Sequence, residues 1–206
     1  MLDERKWIEV KHVLVLGAGG VLGSEITRQL EQYSEVEQTC CDIHRIVYHR
    51  ANGRNIQVDV CDENALQEAV KEQDYVVCSL NGDWLEQAHS LVSVLKEQKN
   101  VHIIWVTGMG IHNEVTGIYG LMWKRYAAMY PEYIKAADCI AGSGIPYTLI
   151  RTADLTESDK TTYHLHKAGE KAHSRYVSRT AVAMLICKII LPEDYYGMNE
   201  SIGITD

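Results

Sequence analysis

The stretch His12-Val13-Leu14-Val15-Leu16-Gly17-Ala18-Gly19-Gly20-Val21-Leu22-Gly23 decides the fold. Its first five residues form a short, mostly apolar run, the composition of a buried strand. Glycines at 17, 20 and 23 follow at once, and Leu22, Ile26, Leu30 and Tyr33 then recur at helical spacing. In such a strand–turn–helix unit the first glycine permits the tight turn. The second removes a Cβ that would hold phosphates away, and the third lets helix and strand pack closely. The turn, with Gly19, Val21 and Leu22 inside it, offers bare peptide N–H groups at the positive end of a helix dipole. This unit is expected to cradle the pyrophosphate of a dinucleotide.

The rest of the chain repeats the alternation. Strands are expected at 36–41, 55–60, 75–80, 101–107 and 146–151, with a short one near 163–165 and a closing one at 201–205. Asp62 is placed to cap a helix whose inner face carries Leu66, Ala69 and Val70. Trp84, Ala88, Leu91 and Leu95 line the next helix. Residues 108–122 read as irregular, and a helix is expected over 126–141 with Met129, Tyr133, Ala137 and Ile140 inward. Ser178 is placed to cap a last helix, with Pro192 beyond its end. The pattern predicts one domain: a three-layer α/β/α Rossmann fold with a mainly parallel sheet of six or seven strands.

Composition narrows the partners. The chain has 206 residues, 46% hydrophobic, and a net charge of -8 without an arginine- or lysine-rich run. Nucleic-acid binding needs a basic face and is not expected. The longest apolar segments fall short of the roughly 20 residues that span a bilayer, so no membrane partner is expected. The N-terminus is charged, with no secretory pattern. The six cysteines, at 40, 41, 61, 78, 139 and 187, show no CxxC spacing. A reduced, cytoplasmic setting follows as the expectation. Long helices flanking such a sheet often join two copies, so a homodimer is among the expectations.

Asp42 stands at the end of the second strand, 19 residues after Gly23. A carboxylate there accepts hydrogen bonds from the adenosine ribose hydroxyls and favours NAD, whereas Arg45 is placed to hold a 2′-phosphate and favours NADP. The balance leans to NAD.

Beyond the glycines, Val58-Asp59-Val60-Cys61-Asp62, Leu80-Asn81-Gly82, Ser143-Gly144-Ile145-Pro146-Tyr147-Thr148-Leu149-Ile150-Arg151 and Val177-Ser178-Arg179-Thr180-Ala181-Val182-Ala183 occur in order along the chain. In that order and spacing they resemble segments of the atypical short-chain dehydrogenase/reductases, in particular the NmrA-like NAD(P)-binding branch. The resemblance runs from His12 to about Pro192. It implies that Asp59 and Val60 flank the adenine, and that Leu80, Asn81 and Gly82 lie beside the cofactor ribose. It also implies that Lys135 hydrogen-bonds the nicotinamide ribose.

The departures concern the chemistry. The superfamily's catalytic set is Ser, Tyr and Lys, with the last two spaced YxxxK. Here Pro131 stands four before Lys135, and Tyr130 and Tyr133 fall at other helical phases. Thr107-Gly108-Met109-Gly110 replaces the usual serine pair. The catalytic candidates are therefore Lys135, Thr107 and Tyr130, with Tyr119, Tyr126, water or the substrate as other proton sources. Two readings stay open: hydride transfer to a small carbonyl, quinone or flavin-like acceptor, or a non-catalytic, dinucleotide-binding redox sensor.

Arg151 and Asp154, after strand six, are placed near the ligand because open α/β sheets bind at the carboxyl ends of their strands. Arg151 is counted with the cofactor-binding residues. His112 and Glu114 follow strand five at the mouth of the expected site, as an acid or base or, by the commoner reading, as a solvated loop. His164 and His166 lack a third ligand at metal spacing, so no metal is expected. Trp105, Met122 and Trp123 are either a pocket lining or, by the commoner reading, core.

Overall fold

Along β1 (Lys11–Leu16) the side chains alternate between two cores. Val13 and Val15 point into one, built with Leu22, Ile26, Leu185 and Ile189. Leu14 and Leu16 point into the other, built with Leu66, Leu91, Leu95 and Ile140. A strand apolar on both faces must be covered twice, and helices do so. The computed structural model describes residues 9–98, 100–191 and 197–206.

After β1 the order is α1 (Val21–Leu30), β2 (Val36–Asp42), β3 (Gly53–Gln57), α2 (Glu63–Ala69), β4 (Tyr75–Cys78), α3 (Trp84–Leu95) and β5 (His102–Gly108). There follow α4 (Gly117–Met129), α5 (Pro131–Ala141), β6 (Tyr147–Thr152), β7 (Asp154–Thr156), β8 (His164–His166), β9 (Tyr176–Ser178), α6 (Arg179–Ile190) and β10 (Glu200–Thr205). The main sheet has eight strands in the order β3-β2-β1-β4-β5-β6-β10-β8. All neighbours are parallel except β10 and β8, which run antiparallel. Helices α1 and α6 pack together on one face, and α3 packs against α2 and α5 on the other. The three-layer Rossmann architecture is as the sequence predicts, and the expected caps are made. Asp62 accepts from the N–H groups of Asn64 and Ala65, and Ser178 Oγ accepts from Ala181 N–H at 2.9 Å.

Several expectations need correction, among them the irregular stretch 108–122, from which α4 takes the residues after 116. The sheet has eight strands rather than six or seven, and β7 and β9 form a separate parallel pair. The third strand covers Gly53–Gln57 rather than 55–60. The expected helix over 126–141 is two helices, α4 and α5. Pro131 cannot continue α4 and opens α5 instead, while Tyr130 before it leaves helical geometry at φ -127°, ψ 65°. Met129, assigned inward, is exposed. Pro192 lies outside the described residues.

The loop after β5 is not solvated. Glu114 is 1% exposed and accepts from the guanidinium of Arg151, itself fully buried on β6. Arg151 also donates through Nε to Ser201 Oγ at 2.9 Å and through Nη2 to the His166 carbonyl at 3.1 Å. One cation thus ties β6, β8, β10 and the loop leading into α4. Burial alone raises the Glu114 carboxyl's pKa. Bonds from its own N–H, Arg151 and the His112 N–H outweigh that and hold it below the usual carboxylate range.

Removing one partner of a buried pair leaves an uncompensated charge, so Arg151→Met alone should cost about 3–5 kcal/mol in urea unfolding. Arg151→Met with Glu114→Leu should recover most of that loss. His102, whose Nε2 lies 2.8 Å from Thr148 Oγ1, is pushed down by burial to about 4. The unfolded chain binds this proton more readily, so the stability it confers is complete above pH 6.5 and lost as pH falls toward 4. Urea midpoints measured across that window should fall on acidification, and His102→Gln should flatten the slope. His112 and His166, which burial also lowers, add to the slope, and Glu114 adds to its acid end.

Candidate functional site

The strand order reverses direction on the two sides of β1 and β4, and a cleft opens there at the carboxyl ends of the strands, as open α/β sheets require. Gly17 ends β1 at φ +79°, and a Cβ on it would come within 2.1 Å of the Ser79 carbonyl oxygen beyond β4. A Cβ on Gly23 would meet the Gly17 carbonyl oxygen at 2.0 Å, so α1 rests on bare backbone. The N–H groups of Gly17 and Ala18 both donate to the Cys41 carbonyl, at 2.9 and 3.0 Å. Tyr48, which no motif singles out, donates from its hydroxyl to the Ala18 carbonyl, and the Arg50 guanidinium stacks 4.3 Å from its ring centroid. Helix α1 opens at Gly20 with no side-chain cap and no acidic residue in its first turn. The N-terminus therefore presents its N–H groups and positive dipole end to the cleft.

The adenosine-side cavity measures about 720 Å³. Gly17, Gly19, Gly20, Asp42 and Arg45 line one side of it, and Asp59, Val60, Leu80, Asn81 and Gly82 the other. Asp42 is fixed by two backbone donors: Gly19 N–H to Oδ2 and His44 N–H to Oδ1, each 3.0 Å. Arg45 is exposed at the rim.

Through Gly20, Ser79, Leu80 and Asn81 this cavity continues into a second chamber of about 270 Å³. Val21 and Leu22 form its α1 wall, Thr107 and Gly108 its floor, and Trp84, Trp123, Tyr126 and Tyr133 an aromatic wall. Tyr133 meets Trp84 edge-on at 5.3 Å and Tyr126 at 6.0 Å, and its hydroxyl accepts from the Gly108 N–H. Burial drives the phenol's pKa far up, with only partial opposition from the Thr107 hydroxyl, so Tyr133 stays protonated. Thr107 Oγ1 is buried in the chamber floor beside that phenol.

The structure thus gathers Gly17, Gly19, Gly20, Val21, Leu22, Asp42, Arg45, Asp59, Val60, Leu80, Asn81, Gly82 and Thr107 around one continuous cleft. Gly23 lies beneath it as packing. Three expected residues stand elsewhere. Lys135 is exposed on α5 and lines neither chamber. Tyr130, 43% exposed, stacks on Tyr126 at the outer edge. Arg151 is consumed by its buried pair with Glu114. The tyrosine brought into the chamber is Tyr133, two positions before Lys135, and the break at Pro131 is the sequence signal that resets the helical phase. Trp105 is buried core as expected, whereas Met122 is exposed and Trp123 lines the chamber.

The uncapped helix and the approaches at Gly17 and Gly23 that leave no space for a Cβ fit a dinucleotide. No group of His, Cys, Asp or Glu among the described residues has the disposition to hold a metal. No helix among them is long and apolar enough to cross a membrane.

The solved structures similar to this chain agree. A Rossmann-fold NAD(P)-binding family protein from Shigella flexneri is 34% identical, with a TM-score of 0.77 over 96% of this chain and 94% of that one. A wide-type short-chain dehydrogenase/reductase from Veillonella parvula, in complex with NADP, is 23% identical, with a TM-score of 0.81 over 95% and 94%. A proposed NADH-flavin reductase from Streptococcus pneumoniae is 14% identical, with a TM-score of 0.76 over 95% and 99%. No curated protein matches the chain. Residues 17–192, which carry the glycine turn and both chambers, match the NAD(P)H-binding family, and the chain belongs to that family.

Proposed function

We propose that this protein reduces a planar quinone- or flavin-like acceptor with NADH, which it binds in preference to NADPH. The observation that carries the reading is the second chamber. It continues the dinucleotide cleft, its wall is aromatic, and its floor holds the buried Thr107 hydroxyl beside a neutral phenol. Flat aromatic acceptors gain from edge and offset contacts with such rings.

The dihydronicotinamide, when bound, supplies a hydride, two electrons with one proton. The chain's own residues do the rest. Gly17, Gly20 and the first turn of α1 hold the diphosphate. Asp42, already oriented by two N–H donors, accepts from the ribose hydroxyls and repels a 2′-phosphate. Tyr133 donates a hydrogen bond to the acceptor oxygen or nitrogen on which negative charge grows, and Thr107 Oγ1 lies next to it as a second donor. A phenol with a raised pKa keeps its proton and acts as a hydrogen-bond donor to the growing charge. The proton that the acceptor takes up with the hydride comes from water at the chamber's mouth.

Asp42→Ala should weaken NADH binding by about 10- to 100-fold, the loss of a charged hydrogen-bond acceptor, and NADPH far less. Fluorescence titration with each coenzyme measures this, and equal losses would remove the proposed coenzyme preference. Tyr133→Phe should lower kcat by about 100-fold while leaving the NADH dissociation constant near its original value. Coenzyme oxidation should be followed against quinones, flavins and aldehydes. Tight binding with no oxidation across that panel would replace the enzyme by a dinucleotide sensor.

A further inference from the structure

The chamber does not end at its aromatic wall. Past Trp123, Ala153 and Asp154 it opens into an annex of about 150 Å³ whose far side carries Arg175. The Arg175 guanidinium lies 4.2 Å from the ring centroid of Tyr119 and 5.3 Å from that of Tyr176. Its Nε donates to Asp154 Oδ2 at 2.7 Å, and the Asp154 N–H donates to the Arg175 carbonyl at 2.9 Å. Two tyrosines therefore hold the cation in place before any ligand arrives, and Asp154, which lines both cavities, is its partner there.

We infer that Arg175 receives an anionic substituent of the acceptor, so that the preferred substrate is a planar aromatic ring system bearing a phosphate, sulfonate or carboxylate. The inference rests on the reduction proposed above and names the substrate class for the same site. The physical case is a competition. The Asp154–Arg175 pair is partly exposed on both sides, 36% at Asp154 and 41% at Arg175, and exchanging such a pair loses little. A phosphate or carboxylate engages the planar fork of the guanidinium through two parallel N–H···O bonds, which are among the stronger charge-assisted contacts. Because the rings of Tyr119 and Tyr176 already order the side chain, little freedom is lost on binding. Asp154 is released into the chamber's mouth, where water solvates it.

The reaction stays balanced as before. The ring system takes up the hydride and one proton to become the hydroquinone or dihydroflavin, and no bond to the anionic group forms or breaks. Arg175 is thus a specificity residue that acts through binding.

Two matched pairs of acceptors test the idea: riboflavin 5′-phosphate against riboflavin, and 1,4-naphthoquinone-2-sulfonate against 1,4-naphthoquinone. For the unmodified protein the anionic member of each pair should have a kcat/KM about tenfold higher, expressed in KM, as one charged contact provides. Arg175→Met should bring both ratios to near one, and Arg175→Lys should restore part of the preference. Asp154→Asn should raise the ratio, since the competing carboxylate is gone. Quenching of flavin fluorescence gives the same comparison without turnover. If the neutral and anionic acceptors are reduced equally, or Arg175→Met leaves the ratio unchanged, the anion site is refuted while the reductase reading stands. If Arg175-dependent discrimination persists in binding and no acceptor is reduced, the anion site stands and the reductase reading fails. Absence of flavin binding, together with equal naphthoquinone rates, overturns the inference.

Discussion

Two backbone approaches, Gly17 against Ser79 and Gly23 against Gly17, are the constraint on which the rest depends. Each leaves no room for a single methyl group. Because they are so close, the end of β1, the end of β4 and the first turn of α1 converge at one place. That convergence aims the uncapped N-terminus of α1 into the cleft and brings Ser79–Leu80–Asn81 to the border between the two cavities. The tie from Cys41 to the turn then fixes the carboxyl end of β2, and with it Asp42. The exposed N-terminus of α1, the oriented Asp42 carboxylate and the chamber are thus consequences of one packing arrangement.

Electrostatics sorts the residues around that frame. The larger cavity presents a carboxylate already oriented by two peptide N–H groups, beside an arginine exposed at the rim. The chamber presents groups that burial keeps neutral. Tyr133 is raised, and no ammonium group lines its chamber, so it keeps its proton. Burial likewise pushes the Cys41 thiol up to about 12, which leaves it an inert part of the core beneath the turn. The strongest isolated cation, Arg151, is spent on holding the β8–β10 end of the sheet to the α4 loop. This separates fold stability from ligand chemistry on neighbouring strands.

Much of the fold was legible in the chain. The apolar run of β1, the Asp62 and Ser178 caps, and the strand–glycine–helix unit all follow from short-range patterns that local physics enforces. The error over 126–141 shows where local reading slipped. Met129 and Tyr133 keep helical spacing, but Pro131 between them ends one helix and starts another, so periodicity counted across it had no single helix to describe. Glu114 was read as solvated because loops usually are, and only its long-range partner Arg151 makes burial tolerable.

What the sequence determined by itself was the αβ alternation, the glycine turn and the carboxylate at the end of β2, because each is encoded within a few consecutive residues. Tertiary structure alone decided which tyrosine enters the chamber, that Arg151 serves the fold, and that Arg175 meets Asp154 beside Tyr119. These outcomes depend on helix phase after a break and on pairings 21 to 56 residues apart, Arg175 with Asp154 and Arg175 with Tyr119. No local propensity specifies such distances. They are set when the two cores close on the sheet.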